Sequence, residues 1–383
     1  MGIIPGMLSD EPDVTLKKAA AESVAQQIMK KYGDKAIRSG KEFLDEKKKV
    51  ISVSPAIDII LGGGIPEGSF VIFTGDPKTG KTVTSLHFSG NCQRAGKKIY
   101  YLDVEGRLKQ RDLEGIKGLD ANAVEVIKSY KQEDGTGKIF NAAEWLDMAV
   151  NLAVNEKDAV IIIDSVSQLM TEDEATSEIE KQHRAPVSQL LSRFCKRVSN
   201  AIPINNNIII CIVHLIANIS GFGAAKGRSG GRKIQYEVDV DLEIKRTEPW
   251  KVGTASGESA SEDDGAQQIG QKVHWITRST ALSSAPGQKI VSWLRYGVGI
   301  DEVAEAIEIG LSLGLVAKKG AWFKLSCMEN HLDVLGIHEH SEWEKKGVKM
   351  CQAQGQDKFI TMLNDNPEYL KCLREDIKEM MIG

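Results

Sequence analysis

The chain has 383 residues, 42% of them hydrophobic, and a formal net charge of −4. That length admits one large core with a smaller domain, and the near-neutral balance excludes a global basic field, so any polyanionic partner must meet a local patch. The longest purely apolar run, Ile208–Val213, is far short of the roughly 20 residues a membrane helix needs, Met1–Gly6 lacks the basic start of a signal peptide, and the six cysteines form no Cys-x-x-Cys pair, so no membrane and a cytoplasmic setting are expected.

Residues 13–32 read as an amphipathic helix, with Asp13 as N-cap, Leu16, Ala20, Val24 and Ile28 spaced by four, and Gly33 as the stop. From residue 50 the pattern alternates between β and α. Strands are predicted at Val71–Thr74, Ile99–Val104, Ala159–Ile163, Ile208–Val213, Val238–Ile244, Val273–Thr277 and Ser292–Arg295, with helices at Asn141–Val154 and Val187–Val198. Apolar strands with helical crossovers imply a mainly parallel buried sheet, and the shorter later connections predict an antiparallel finish. Leu215–Lys233 is glycine-rich and breaks the periodicity, and Glu248–Gly270, rich in Gly, Ser, Ala and acid, reads as a disordered hairpin tip. The tail ends in two predicted helices, Gln356–Leu363 and Pro367–Met381. Its Cys327, His331, His338, His340 and Cys351 match no common zinc spacing.

The most informative segment is Gly75-Asp76-Pro77-Lys78-Thr79-Gly80-Lys81-Thr82, a complete G-x-x-x-x-G-K-[ST] phosphate loop. It lies between the strand-like Phe70–Phe73 and the helix-compatible Val83–Phe88. A glycine-rich turn there aims backbone N–H groups at phosphate oxygens, and the helix N-terminus adds partial positive charge. Lys81 is expected on the β- and γ-phosphates and the Thr82 hydroxyl on Mg²⁺.

Two strands end in carboxylates. Val160–Ser165 ends in Asp164, which is expected to hold Mg²⁺ through water. Tyr100–Gly106 ends in Asp103-Val104-Glu105, and Glu105 is the candidate to align an attacking water. Leu215–Lys233 carries Lys226, Arg228, Arg232 and Lys233, no acid, five glycines and Phe222 as its one aromatic. On composition alone, a solvated basic loop and a backbone-tracking nucleic-acid contact are equally good readings.

Ser54–Gly75, Asp103-Val104-Glu105, Gly230-Gly231 with Val238–Arg246, Tyr296–Asp301, Lys319–Phe323 and Leu363–Glu368 together resemble the RecA family of recombinases, in its bacterial and phage UvsX-like branch. The resemblance runs from about residue 14 to 381. It implies an α/β fold: a RecA-type P-loop ATPase core with a mainly parallel central sheet and DNA-binding loops over 51–325. An N-terminal helical polymerisation segment over 1–50 and a small C-terminal α/β domain over 326–383 would complete it. The implied activity is ATP-dependent, Mg²⁺-requiring homologous pairing and strand exchange in recombination and repair. Helical filaments on single-stranded DNA would carry it out against a homologous duplex.

Carried over residue by residue, Gly75 to Thr82 would hold ATP, Thr82 and Asp164 the metal, and Glu105 the catalytic water. His214 falls where the family places a γ-phosphate sensor, usually Gln, just before the DNA loop of Phe222, Lys226, Arg228, Gly230, Gly231, Arg232 and Lys233. That placement favours DNA contact, with ATP and DNA affinities reciprocally coupled. The other DNA loop should fall near Thr171–Arg184, where acids outnumber cations, so Arg184 and, less so, Lys181 are its candidates. The family's adenine-stacking aromatic is missing from Lys109–Asp112, which implies either weaker adenine selectivity or stacking by Arg111 instead, and Thr277-Arg278-Ser279 offers only Arg278 toward a neighbour's ATP. Lys346, Lys349, Lys358 and Lys371 in the tail suit duplex capture or an ordinary solvated face. The rival readings are a hexameric helicase of the same fold and an accessory recombination mediator.

Overall fold

The computed structural model describes residues 23–172, 174, 186–217, 226–228, 234, 237–251, 268–282 and 285–382. The chain divides into two units, Met1–Lys48 and Lys49–Gly383. In the first, α1 (Val24–Tyr32) starts at Ser23, whose hydroxyl accepts from Gln26 N while the Gln26 side chain accepts from Ser23 N. Gly33, at φ +99°, ends it as expected. The expected helix over 13–32 does not run through Ser23, which is extended and caps a helix starting at Val24, and residues 13–22 lie outside the described residues. Asp13 lies outside the described residues. A second box, Ser39 with Glu42, opens α2 (Gly40–Asp45).

The second unit begins with the small pair β1 (Val50–Ile51) and β2 (Ile65–Pro66), with α3 (Pro55–Leu61) between them. Then come β3 (Phe70–Gly75), α4 (Lys81–Arg94), β4 (Lys98–Asp103), α5 (Gln110–Glu114) and β5 (Val124–Lys128). After a short hairpin, β6 (Tyr130–Lys131) and β7 (Gly137–Lys138), follow α6 (Ala142–Asn155), β8 (Ala159–Asp164), α7 (Pro186–Val198) and β9 (Ile208–Ala217). The sheet is completed by β10 (Lys226–Arg228), β11 (Val240–Lys251), β12 (Gln268–Thr280), β13 (Lys289–Arg295) and β14 (Gly299–Ile300). Its order is β14-β13-β12-β11-β3-β9-β8-β4-β5, with β10 paired to β9. The strands from β11 to β5 are parallel, and β12 to β14 are antiparallel, as the shortening connections predict.

The two-residue alternation of a strand splits each apolar run between two cores. Val71 and Phe73 join Val160 and Ile162 on one face, with Leu86 and Phe88 of α4. Phe70 and Ile72 join Ile161 and Ile163 on the other, with Trp145 of α6 and Phe194 of α7. Every residue of β3 and β8 is buried. This rigid double layer holds the carboxyl ends of the strands, where the phosphate loop emerges.

Two expected irregular segments contain strand. Leu215–Ala217 continues β9 and pairs antiparallel with Lys226–Arg228. Likewise β11 runs to Lys251 and β12 starts at Gln268, so the ends of the expected disordered tip form a paired arm. Trp250 packs edge-on against Trp293 at 5.3 Å between ring centroids, which gives that arm an anchor. Residues 252–267 lie outside the description.

Beyond the sheet, α8 (Glu302–Leu313), the three-stranded sheet β15 (Val316–Lys319), β16 (Trp322–Leu325) and β17 (Gln352–Gln354), and the helices α9 (Gln356–Asp365) and α10 (Pro367–Ile382) share a third core. All six cysteines are buried and unpaired, and no metal-binding cluster of His, Cys, Asp or Glu occurs among the described residues. No helix among them is long and apolar enough to cross a membrane.

Candidate functional site

The loop from Gly75 to Gly80 leaves β3 and enters α4 with its backbone tightly constrained. A Cβ on Gly75 would lie 2.6 Å from the Ile244 carbonyl oxygen, and one on Gly80, at φ +106°, would lie 2.2 Å from Leu294 Cδ1. Only glycine fits either position. Lys78 sits at φ +61°, a strained conformation for a residue with a side chain, and its carbonyl accepts from Gln271 Nε2 at 3.3 Å. The N-cap of α4 is Gly80, with no side-chain hydrogen bond closing the helix end. No N-cap side chain therefore competes for the first-turn N–H groups, the arrangement that receives an anion.

Lys81 is 3% exposed, and its ammonium donates to the carbonyls of Gly75 at 3.0 Å and Asp76 at 2.8 Å. Burial pulls it down to about 8, against the charges of Asp164, Glu105 and Asp76. The Thr82 hydroxyl donates to Asp164 Oδ2 at 2.6 Å, which leaves the Thr82 oxygen lone pairs available. Asp164 is 7% exposed, and burial raises its pKa above the ordinary value.

The two acids of Asp103-Val104-Glu105 separate cleanly. Asp103 accepts from the N–H groups of Arg107 at 3.1 Å and Leu108 at 3.2 Å, so it closes the turn after β4. Glu105 instead faces the β8 and β9 ends. Its Oε1 accepts from Ser165 Oγ at 2.7 Å and meets His214 Nε2 at 2.6 Å. The His214 hydrogen bond is the chief reason its carboxyl is held down to about 2, with Ser165 assisting against burial. His214 is level with Gly75 in the β3–β9 register, and its backbone N–H donates to Ser167 Oγ at 2.8 Å. Its Nδ1 is buried with no hydrogen-bond partner among the described residues.

One residue beyond His214, Leu215 pairs with Arg228 of β10, and Ala217 pairs with Lys226. Phe222, Gly230, Gly231, Arg232, Lys233, Arg184 and Lys181 lie outside the described residues. Arg111 stands on α5, largely exposed, 3.8 Å from Asp112. Arg278 donates to Glu243 Oε2 at 2.6 Å. By register Trp275 is level with Gly75 through Ile244, so Arg278 lies three residues, or about 10 Å, toward the opposite end of the sheet.

The donor set fits a nucleotide accompanied by a divalent cation. One buried ammonium faces three carboxylates, so a polyanionic phosphate needs further positive charge to enter, and a hydroxyl beside a carboxylate supplies the hard oxygen ligands that Mg²⁺ prefers. The residues that motif reading missed are Tyr101, Ser165, Ser167 and Gln271. Ser165 is signalled by its place directly after Asp164, whereas Tyr101 and Gln271 become visible only through strand register.

The family profile described as RecA N-terminal domain matches residues 18–275. Protein RecA of Streptomyces rimosus is 27% identical over 373 residues, covering 96% of this chain and 86% of the relative. Protein RecA of Acholeplasma laidlawii is 28% identical over 367 residues, covering 94% and 96%, and that of Paenarthrobacter aurescens is 27% identical, covering 95% and 93%. A profile match across most of the chain, together with full-length relatives and the phosphate loop described above, leads to one assignment: the chain belongs to the RecA family of recombinases.

Proposed function

We propose that the chain is a DNA-dependent ATPase that assembles as a helical filament on single-stranded DNA and exchanges strands with a homologous duplex. The observation that carries this reading is the contact between Glu105 and His214, because it links the water-aligning acid to the strand that leads into the cationic loop. ATP and Mg²⁺ would supply the phosphoanhydride to be hydrolysed and the positive charge that lets a triphosphate approach.

The chain's own residues divide the remaining work. The α4 N-terminus and Lys81 bind the phosphates, and Thr82 and Asp164 hold the metal. Glu105, kept ionised by His214 and Ser165, orients water and accepts its proton. His214 senses the end of the phosphate chain by exchanging its bond with Glu105 for one to ligand. Its neighbour Leu215 is paired with Arg228, so a shift at His214 reaches the β9–β10 arm within one residue. Arg228, Lys226, Arg232 and Lys233 then track the DNA backbone, Gly230 and Gly231 let the loop adapt, and Phe222 inserts between bases. Arg278, remote from its own loop, serves the ATP of a neighbouring protomer, and Arg111 stacks on adenine. The residues before 50 link protomers, and those after 326 form a small domain beside the core. A cytoplasmic setting suits six buried free thiols.

Electron microscopy with single-stranded DNA and ATP is the direct test. Continuous helical filaments are expected, and closed six-membered rings would reject the recombinase reading in favour of a helicase. A strand-exchange assay then separates a recombinase from an accessory filament protein.

A further inference from the structure

The structure assigns a role to Tyr101 that rests on the magnesium–phosphate reading above: we infer that its phenol is a positioning residue that sets how tightly the site takes a divalent cation. Tyr101 lies on β4, opposite Ile162 of β8, while Asp164 lies two residues further along that strand. The ring is 1% exposed among the core residues of the α4 face, and it reaches diagonally upward so that its hydroxyl donates to Asp164 Oδ2 at 2.5 Å.

This gives Asp164 a definite polarity. Oδ2 accepts two hydroxyl donors, Thr82 and Tyr101, which approach from α4 and β4, while Oδ1 has no hydrogen-bond partner among the described residues. Two donors from different elements fix the carboxylate plane as one donor cannot. Oδ1 is thereby held ready for the water shell of a cation beside Thr82. Groups that orient a metal-site ligand in this way are worth about 10- to 100-fold in metal affinity. A tyrosine buried only for packing has no such consequence, since phenylalanine would fill the same space.

The test uses the full chain and the Tyr101→Phe variant, which keeps the ring and removes the donor. Binding of a fluorescent ATP analogue is measured in chelator and across a Mg²⁺ titration, and Mn²⁺ binding is followed by electron paramagnetic resonance. The half-saturating Mg²⁺ concentration is expected to rise about tenfold in the variant, with Mn²⁺ affinity weakened in parallel. Nucleotide affinity in chelator should stay unchanged, and the thermal unfolding temperature should fall by no more than the few degrees that one lost hydrogen bond costs. Equal Mg²⁺ midpoints for the two proteins would overturn the role of Tyr101, and so would an equal loss of metal-free binding, which marks general damage. A wild-type protein whose nucleotide binding ignores Mg²⁺ altogether would instead remove the phosphate-site reading on which the inference rests.

Discussion

His214 Nε2 and Glu105 Oε1, 109 residues apart in sequence, meet at 2.6 Å across the ends of β9 and the turn after β4. The contact does two things at once. It holds the Glu105 carboxyl down to about 2, and it withholds His214 from any other acceptor on that nitrogen. A carboxylate with a depressed pKa stays ionised well into acid, so Glu105 adds no acidic limb to ATP turnover above about pH 4. His214→Ala removes the chief cause of that depression. The acid limb of the pH–rate profile should then move up toward the ordinary carboxylate range near 4.3. Loss of a charge-assisted hydrogen bond of about 1.5–3 kcal/mol predicts turnover down by about tenfold to a hundredfold. The decisive readout is DNA affinity. In the variant it should no longer respond to ATP analogues, and a preserved response would place the coupling elsewhere.

Glu105→Gln separates chemistry from binding. The amide can still accept a hydrogen bond, so the pocket keeps its shape, but it cannot take a proton from water. Hydrolysis should slow by about 10²- to 10⁴-fold while the nucleotide dissociation constant holds. Asp103→Asn is the control, because that acid is engaged with the N–H groups of Arg107 and Leu108. It should leave the chemical step intact, and wild-type turnover in Glu105→Gln would show that another group aligns the water.

Lys81 predicts a second, alkaline signature. Its ammonium is pulled down to about 8 by burial, so the ligand-free chain loses that charge as the pH rises through 8. Phosphate favours the charged form, so ATP affinity should fall above about pH 8 and binding there should take up protons. Calorimetric titrations in buffers of different ionisation enthalpy measure that uptake directly. Lys81→Ala should abolish both the proton uptake and turnover, whereas a pH-independent affinity in the wild-type chain would mean that Lys81 does not meet the phosphates.

The parts of this architecture that were legible in sequence are those set by local physics. Runs such as Val160–Ile163 are apolar at every position, which only a strand covered on both faces requires, and the phosphate loop carries glycines where a Cβ would collide with Ile244 or Leu294. The cap at Ser23 was hidden because Val24 and Ile28 continue the spacing of Leu16 and Ala20 straight through it, although Ser23 is extended and its capping box starts the helix at Val24. The β9–β10 arm was hidden for the opposite reason, since glycine content outweighed the apolar Leu215-Ile216-Ala217 that extends the strand. Tyr101 reads simply as an inward-facing residue of β4. Which acid its hydroxyl meets depends on the alignment of β4 with β8, and no local pattern encodes that. The partnership of His214 with Glu105 is hidden in the same way.

The helix that begins at the phosphate loop also carries a clamp at some distance from it. His87 Nε2 on α4 meets Glu302 Oε1 at 2.9 Å, and Arg374 on α10 donates to Glu302 Oε2 at 2.5 Å. Burial works against the Glu302 charge, yet the His87 hydrogen bond and the Arg374 charge outweigh it and bring the carboxyl down to about 2. A depressed carboxylate contributes stability that is fully present above its unfolded value near 4.3 and is lost as the pH falls toward 2. Glu302→Gln breaks both contacts as charged interactions and leaves Arg374, whose Nε already has no partner among the described residues, without its counter-ion. Arg374 is 37% exposed on its side chain, so solvent moderates the loss, and about 1–3 kcal/mol at neutral pH is expected. Urea unfolding at pH 7 and pH 3 measures it. The wild-type chain should lose stability between those values faster than the variant, and the gap between the two should narrow at pH 3 and close only as the pH falls through about 2, if Glu302 ties α10 to the helix of the phosphate loop. Parallel curves would assign the acid sensitivity to other carboxylates.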